Sequence, residues 1–277
     1  MIDLHLHTTA SDGRSTPEAL VAEAATAGCR TIAVTDHDTT AAIGQVAAAA
    51  SRAGLAFVPG IEMTAVDRAK DIHILGYGID MDDADLAAFL AEQRVLRRAR
   101  VVAIAERLSA AGAPVDIDAV LASAASTGRA LGRPAVAAAL VAAGHVPTMN
   151  DAFDRYLVEG RPGFVVRDGA APSVIVERIV RAGGVASIAH PGKYGRDDLI
   201  APLVDAGMRA IEVFHPDHDR VAVERYQAIA ASFGLVLTGG SDYHGPGTGR
   251  AAGLGRIGPP PGQLDALMAL MAARGRA

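Results

Sequence analysis

IDLHLHTTASDGRSTPEALVAEAATAGCRTIAVTDHD, residues 2–38, decides how the rest of this chain is read. Ile2 to His7 alternates as a strand does. Ser15-Thr16-Pro17-Glu18 then offers a capping hydroxyl and an early proline for a helix running to about Gly28. Thr31 to Asp36 is a second short β-rich run. Strand, helix, strand is the repeat of an αβ protein with mostly parallel strands. Both strands run out into His and Asp, and in αβ barrels the C-terminal strand ends converge on one rim where sites are built.

Working outward, the repeat continues with an Ala-rich helix near 41–53 and strands at 55–62 and 71–76. From about Asp82 to Val158 strand signals vanish. Ala, Leu and Arg recur there at helical spacing, broken at Gly112-Ala113-Pro114, Gly132-Arg133-Pro134 and Gly144-His145-Val146-Pro147. A helix from Pro172 to Ala182 restores the alternation, and 185–190, 210–214 and 235–238 supply the last strands. Seven strands predict an α/β fold, a distorted (β/α)7 barrel carrying a helical insertion domain. The expected division is a discontinuous barrel domain, 1–80 and 165–277, with a cap domain at 81–164.

Composition narrows the classes. The chain has 277 residues, with 26 Lys and Arg against 31 Asp and Glu, a net charge of −5. That balance argues against tight nonspecific binding to long duplex nucleic acid. No stretch approaches the roughly 18–20 apolar residues of a membrane span, and no leader-like segment precedes the first strand, so a cytoplasmic protein without membrane contact is expected. One cysteine, Cys29, excludes an internal disulfide and a thiolate zinc cluster. Arginines cluster at Arg94, Arg97, Arg98, Arg100 and Arg107, as a solvated helix face or a wall that attracts anions.

Eight of the nine histidines sit in short motifs at or near predicted strand ends: His5 and His7, His37, His73, His190, His215 and His218, and His244. Only His145 lacks such company and reads as structural. His5 and His7 share one strand face because side chains repeat with period two. Glu62 closes the apolar run LAFVPGIE, where an unpaired carboxylate is costly, so a carboxylate bridging cations accounts for it better. Imidazole beside carboxylate is the donor set of transition metals that activate water.

HLHTTASDG, TDHD, PGIE, HILGYG, AHPG and GSDYHG together resemble the PHP (polymerase and histidinol phosphatase) family of metal-dependent phosphoesterases, over roughly residues 1–78 and 165–255. The insertion and EVFHPDH are most similar to a subgroup of nucleoside bisphosphate phosphatases and 5′→3′ exonucleases acting on short RNA. The resemblance implies two or three divalent ions, Mn, Fe or Zn. His5, His7, Glu62 and Asp242 would hold the first, Glu62 with His73 and His190 the second, and Asp12, His37 and His244 a third. Asp242, Glu62 and His190 would be catalytic around a metal-bridging hydroxide that attacks phosphorus. Arg133, Arg155, His215, His218 and Lys193 would contact substrate.

The expected substrate is a small nucleotide phosphomonoester, with short RNA 5′ ends as a further one and no obligate protein partner. Related sequences often read GRPH where this chain has Gly132-Arg133-Pro134-Ala135, which bears on the substrate. The alternatives are a phosphatase of a non-nucleotide metabolite such as histidinol phosphate, and a non-catalytic metal-stabilised module.

Overall fold

A computed structural model describes residues 1–127 and 131–274. Strands β1 (Ile2–Asp3), β2 (Thr31–Val34), β3 (Ala56–Asp67), β4 (Lys70–Tyr77), β5 (Val185–Ile188), β6 (Ala210–Phe214) and β7 (Val236–Gly239) lie side by side in chain order. Leu4 N–H donates to Gly239 O (3.1 Å), His7 N–H donates to Tyr243 O (3.0 Å), and Leu6 bridges Tyr243. These contacts bring the first strand against the last, so the seven-stranded barrel is nearly closed. Around and beyond it run α1 (Pro17–Thr26), α2 (Ile43–Ala53), α3 (Ala84–Ala110), α4 (Ile117–Thr127), α5 (Arg133–Ala142), α6 (Met149–Ala152), α7 (Pro172–Arg181), α8 (Ile200–Asp205), α9 (Arg220–Phe233) and α10 (Pro261–Arg274).

Local chemistry sets the ends of these elements. The Thr16 hydroxyl accepts from Ala19 N–H and Pro17 occupies the first turn of α1, where its missing N–H costs nothing. Asp219 caps α9 in the same way, and Gly234 ends it at φ 64°, a left-handed turn that glycine adopts without strain.

The structure departs from the expected alternation at β4, which is antiparallel to both β3 and β5. Its connection to β3 is two residues long, Arg68 (φ 47°) and Ala69 (φ 64°), and a return that short can only reverse the chain. Glu62 and His73 consequently lie inside a long hairpin rather than at strand ends. The parallel ladder of β2 and β3 stops at Val34 and Pro59, with one further bridge, His37 to Glu62. The hairpin overshoots the rim and carries Glu62 and His73 there.

Along several strands one face begins apolar and ends polar. Val58 is followed two and four residues on by Gly60 and Glu62, Ala33 leads to His37, and on antiparallel β4 the order reverses, His73 coming before Leu75 and Tyr77. Leu4, Ala33, Val58, Leu75, Tyr77, Val185 and Ala210 form one buried cluster, closed below by Leu267 of α10. Period-two alternation thus fills the barrel with hydrocarbon and places imidazole and carboxylate above it.

The α3 helix, 27 residues and so about 40 Å long, serves two cores. Leu86, Phe89 and Leu90 pack with the barrel strands and α7. Val101, Ile104 and Leu108 pack with Val136, Leu140 and Leu157 in a separate helical cluster.

Gly240 lies where the closing strands touch. A Cβ there would sit 2.4 Å from His5 N and 2.5 Å from His5 Cβ. Gly240→Ala is expected to destabilise the chain by about 1–3 kcal/mol through this overpacking, measured as a lower denaturant midpoint with an unchanged slope.

Candidate metal centre

Glu62 is the hub. Its Oε2 lies 3.3 Å from His5 Nε2, 3.3 Å from His7 Nε2 and 3.1 Å from His37 Nδ1. Its Oε1 lies 2.8 Å from His73 Nδ1 and 3.2 Å from His190 Nε2. Asp242 Oδ1 faces His5, His7 and His244 at 3.3–3.5 Å. Asp12 adds Oδ1 at 3.2 Å from His244 Nε2 and Oδ2 at 3.8 Å from His37 Nε2. All nine residues expected to bind metal are therefore gathered in one place, from segments spread over the whole chain.

Within this cluster several sets offer ligand atoms lying within 4.8 Å of one another: His5, His7 and Asp242; His5, Glu62 and His190; His37, Glu62 and His73; and His7, Asp12, His37 and His244. The sets overlap at Glu62, and His7 joins the outer group. A cation fits this arrangement on its own terms. His7 Nε2 and His37 Nδ1, both turned toward Glu62 Oε2, and Asp12 Oδ1, beside His244, are buried without a hydrogen-bond partner. Buried polar atoms left so are costly, and a bound ion satisfies them together.

The charges are balanced closely. Burial opposes ionisation of Glu62 and Asp242, but the surrounding imidazoles outweigh it and hold both carboxyls well below the usual range. Burial likewise opposes protonation of His7, yet Asp242 and Glu62 prevail and raise it to about 10. At His37 and His190 burial wins and depresses each to about 3, so both present neutral rings. Three residues around the centre, Asp38, His190 and Asp242, hold left-handed φ of 50°, 30° and 52°, a conformation that costs side-chain-bearing residues free energy.

Several supporting groups were not apparent in the sequence as such. Glu212 Oε1 lies 2.9 Å from His5 Nδ1, and its Oε2 accepts the His190 N–H at 2.7 Å. It thereby fixes the His5 ring with Nε2 toward the centre. Tyr194 Oη accepts the His73 N–H and sits 2.9 Å from His190 Nδ1. Asp36 accepts from Thr8 N–H, Thr8 Oγ1 and Ser11 Oγ, which folds the loop carrying Asp12. The strand-end position of Glu212 was a usable signal; for Tyr194 there was none.

The residues expected to contact substrate scatter. Lys193 Nζ stands at the rim, 3.2 Å from Asp217 and 3.6 Å from Asp242. Arg250, unremarked in the sequence, pairs with Asp217 and brings Nε to 3.5 Å from Asp242. His215 is buried; Asp217 N–H donates to its Nδ1, which leaves Nε2 to face Asp242 at 3.3 Å. His218 has both ring nitrogens committed to backbone, Nδ1 at 2.8 Å from Val213 O and Nε2 accepting Gly192 N–H. No ring nitrogen of His218 is left for a substrate. Arg133 reaches Asp71 at 3.4 Å. Arg155 donates to His145 O and lies over the Tyr156 ring, outside the lining of the main cavity. His145 itself is structural, with Nε2 2.7 Å from Pro114 O.

That cavity holds about 1200 Å³ between the ligand cluster and the helical segment. Asp12, His37, Asp242 and His244 form its floor; Arg14, Arg97 and Arg250 add positive charge; Ala135, Ala138, Ala139, Met149 and Phe153 give an apolar wall.

The proton on His7 has a consequence for stability. Because the unfolded chain binds this proton only with the ordinary value of 6.5, the stability it contributes to the native state is complete below that pH and is lost as pH rises toward about 10. Metal-free protein is therefore expected to melt at steadily lower temperature from pH 6.5 to 10. Saturating Mn²⁺, which takes the proton's place, should flatten that slope. Identical slopes with and without the ion would contradict metal binding at His7.

Residues 3–114 match the PHP domain. The chain is 37% identical over 253 residues to a 3′,5′-nucleoside bisphosphate phosphatase of Chromobacterium violaceum, covering 90% of this chain and 88% of that one. It is 38% identical to the 5′-3′ exoribonuclease Rnm of Escherichia coli, covering 88% and 85%. It is 37% identical to a phosphoribosyl 1,2-cyclic phosphate 1,2-diphosphodiesterase of Eggerthella lenta, covering 88% and 94%. The fold superposes with TM-score 0.89 on a Bifidobacterium adolescentis protein assigned to the metal-dependent phosphoesterases, 32% identical over 97% of this chain and 96% of that one. With its histidine motifs gathered at one barrel rim and relatives of this similarity along nearly its full length, the chain belongs to the PHP family.

Proposed function

We propose that this chain is a metal-dependent phosphoesterase that hydrolyses phosphomonoesters of small nucleotides, with the 5′ ends of short RNA as a further substrate. The observation carrying this reading is the cavity: four of the nine clustered imidazole and carboxylate groups, Asp12, His37, Asp242 and His244, form its floor, and an apolar wall stands opposite. A phosphate on the floor and a planar base against Phe153 and Met149 would use both ends. The net charge of −5 suits a small substrate better than a long polymer.

Two or three divalent ions are proposed, with the donor mixture suiting Mn²⁺, Fe²⁺ or Zn²⁺. His5, His7, Glu62 and Asp242 would hold one, Glu62, His73 and His190 a second, and Asp12, His37 and His244 a third. When bound, such ions neutralise phosphate charge and lower the pKa of coordinated water. The chain's own groups do the rest. Asp242, Glu62 and His190 are the proposed catalytic residues, and the ionised Glu62 and Asp242 keep the centre ready to take cations. Lys193 and Arg250, both anchored on Asp217, flank Asp242 where phosphate oxygens would lie. Neighbouring His215 directs Nε2 at Asp242 Oδ2 and steadies that carboxylate rather than reaching substrate. Residues 81–164 act in this reading as a cap domain on a barrel of 1–80 and 165–277. No helix among the described residues is long and apolar enough to cross a membrane, which accords with a cytoplasmic enzyme.

Phosphate release from 3′,5′-nucleoside bisphosphate, AMP, a short 5′-phosphorylated RNA and histidinol phosphate, and ring opening of a five-membered cyclic phosphate to its monoester, each with Mn²⁺, test the proposal. The nucleotides are expected to give the highest kcat/KM, and Asp242→Asn should lower every rate by at least about 100-fold. Preference for histidinol phosphate would overturn the substrate class, and full activity of Asp242→Asn would overturn the centre.

A further inference from the structure

Asp38 follows His37 directly and is gripped by three segments. Its N–H donates to Glu62 O (2.9 Å), and its Oδ1 accepts the Thr64 N–H (2.8 Å), both from β3. Its Oδ2 accepts from Arg97 Nε (2.7 Å) and Nη2, and from Arg167 Nη2 (3.0 Å). Arg97 stands in the middle of α3, between the half packed on the barrel and the half packed in the helical cluster. Arg167 belongs to the irregular segment that leads from the helical residues back to α7.

Arg97 does not stop at Asp38. Its Nη1 donates to Leu131 O (2.8 Å), just before α5, and its Nη2 to Thr64 Oγ1 (3.1 Å). One planar guanidinium thus joins the loop of His37, strand β3 and the entry to α5, the helix whose alanines wall the cavity. The grip is strong: the Asp38 carboxylate is buried and both its oxygens are engaged, Oδ1 by Thr64 and Oδ2 by Arg97 and Arg167. The grip is also local, because Asp38 keeps a left-handed φ of 50° that only surrounding contacts sustain. A change in its anchoring passes to the adjacent His37, whose ring nitrogens stand 3.1 Å from Glu62 and 3.8 Å from Asp12.

We propose that Arg97 is a positioning residue that, through Asp38, ties the seating of the helical segment over the cavity to the placement of His37 in the outer ligand group. The inference rests on the metal-centre reading above, though it holds for any substrate. Two consequences separate it from an ordinary ion pair. Loss of Arg97 should weaken one ion selectively, and it should lower kcat rather than merely raise KM.

The test titrates Mn²⁺ into metal-free protein by calorimetry and counts ions retained after gel filtration. It also measures kcat and KM on AMP and on p-nitrophenyl phosphate, and the melting temperature. Arg97→Gln is expected to retain the tighter ions, bind the weakest about 10–100-fold less well, and lose kcat on both substrates alike. Arg97→Lys, which keeps a charge for Asp38 but not the fork, should recover part of the ion affinity. Asp38→Asn should reproduce the Gln phenotype, and the double variant should be no worse than the poorer single one. If Arg97→Gln does not fold, Asp38→Asn alone carries the same comparison.

Unchanged Mn²⁺ binding with only KM raised would make Arg97 a substrate contact and overturn the proposal. Unchanged binding and kcat with only a lower melting temperature would make it structural and overturn it equally. The Mn²⁺ titration decides the link even if the parent protein releases no phosphate from any nucleotide, a result that would sink the proposed function instead.

Discussion

A carboxylate buried without a counter-charge is among the costliest groups a protein can hold. Glu62 is almost fully buried, and imidazoles of His5, His7, His37, His73 and His190 stand within 3.3 Å of its two oxygens. Those five rings come from the segment just after β1, the loop after β2, β4 and the turn after β5. The carboxylate can be satisfied only if the barrel closes, and the contacts of Leu4 and His7 with Gly239 and Tyr243 close it. The same closure brings Asp242 to His5 and His7. Fold and centre therefore depend on one condition.

A centre built this way is expensive. Clustered imidazoles repel when protonated, and three of the neighbouring residues hold left-handed backbone. The cost is offset by hydrocarbon below, where one strand face after another is filled with Leu, Val, Ala and Tyr before it turns polar. The helical segment contributes a second apolar core and is tied to the barrel by α3, which belongs to both. The polar middle of α3, where Arg97 bonds both Asp38 and Leu131, lies at the boundary between the two cores.

Much of this was legible in residue order. The Thr16-Pro17 start of α1 and the end of α2 at Ala53 follow from local sequence and read correctly. So did the seven strands, and the paired faces of His5 and His7 follow from period two alone. The antiparallel β4 was not read. Its strand pattern is the same in either direction, and only the two-residue turn at Arg68-Ala69 reveals the reversal. Arg97 looked like any member of an arginine run, since its partners Asp38, Thr64 and Leu131 are remote in sequence. His218 shared a motif with His215, yet its two backbone contacts withdraw it into structure.

Residue order by itself determined the strand and helix content, the ligand types and the polar end of each strand, because those follow from spacing within a few residues. Tertiary structure decided that His37 joins the rings around Glu62, that Glu212 stands behind His5, and which arginine reaches from α3 to the loop of His37. Those outcomes depend on closure of a sheet whose first and last strands lie more than 230 residues apart, and on burial that turns ordinary polar side chains into mutually dependent ones.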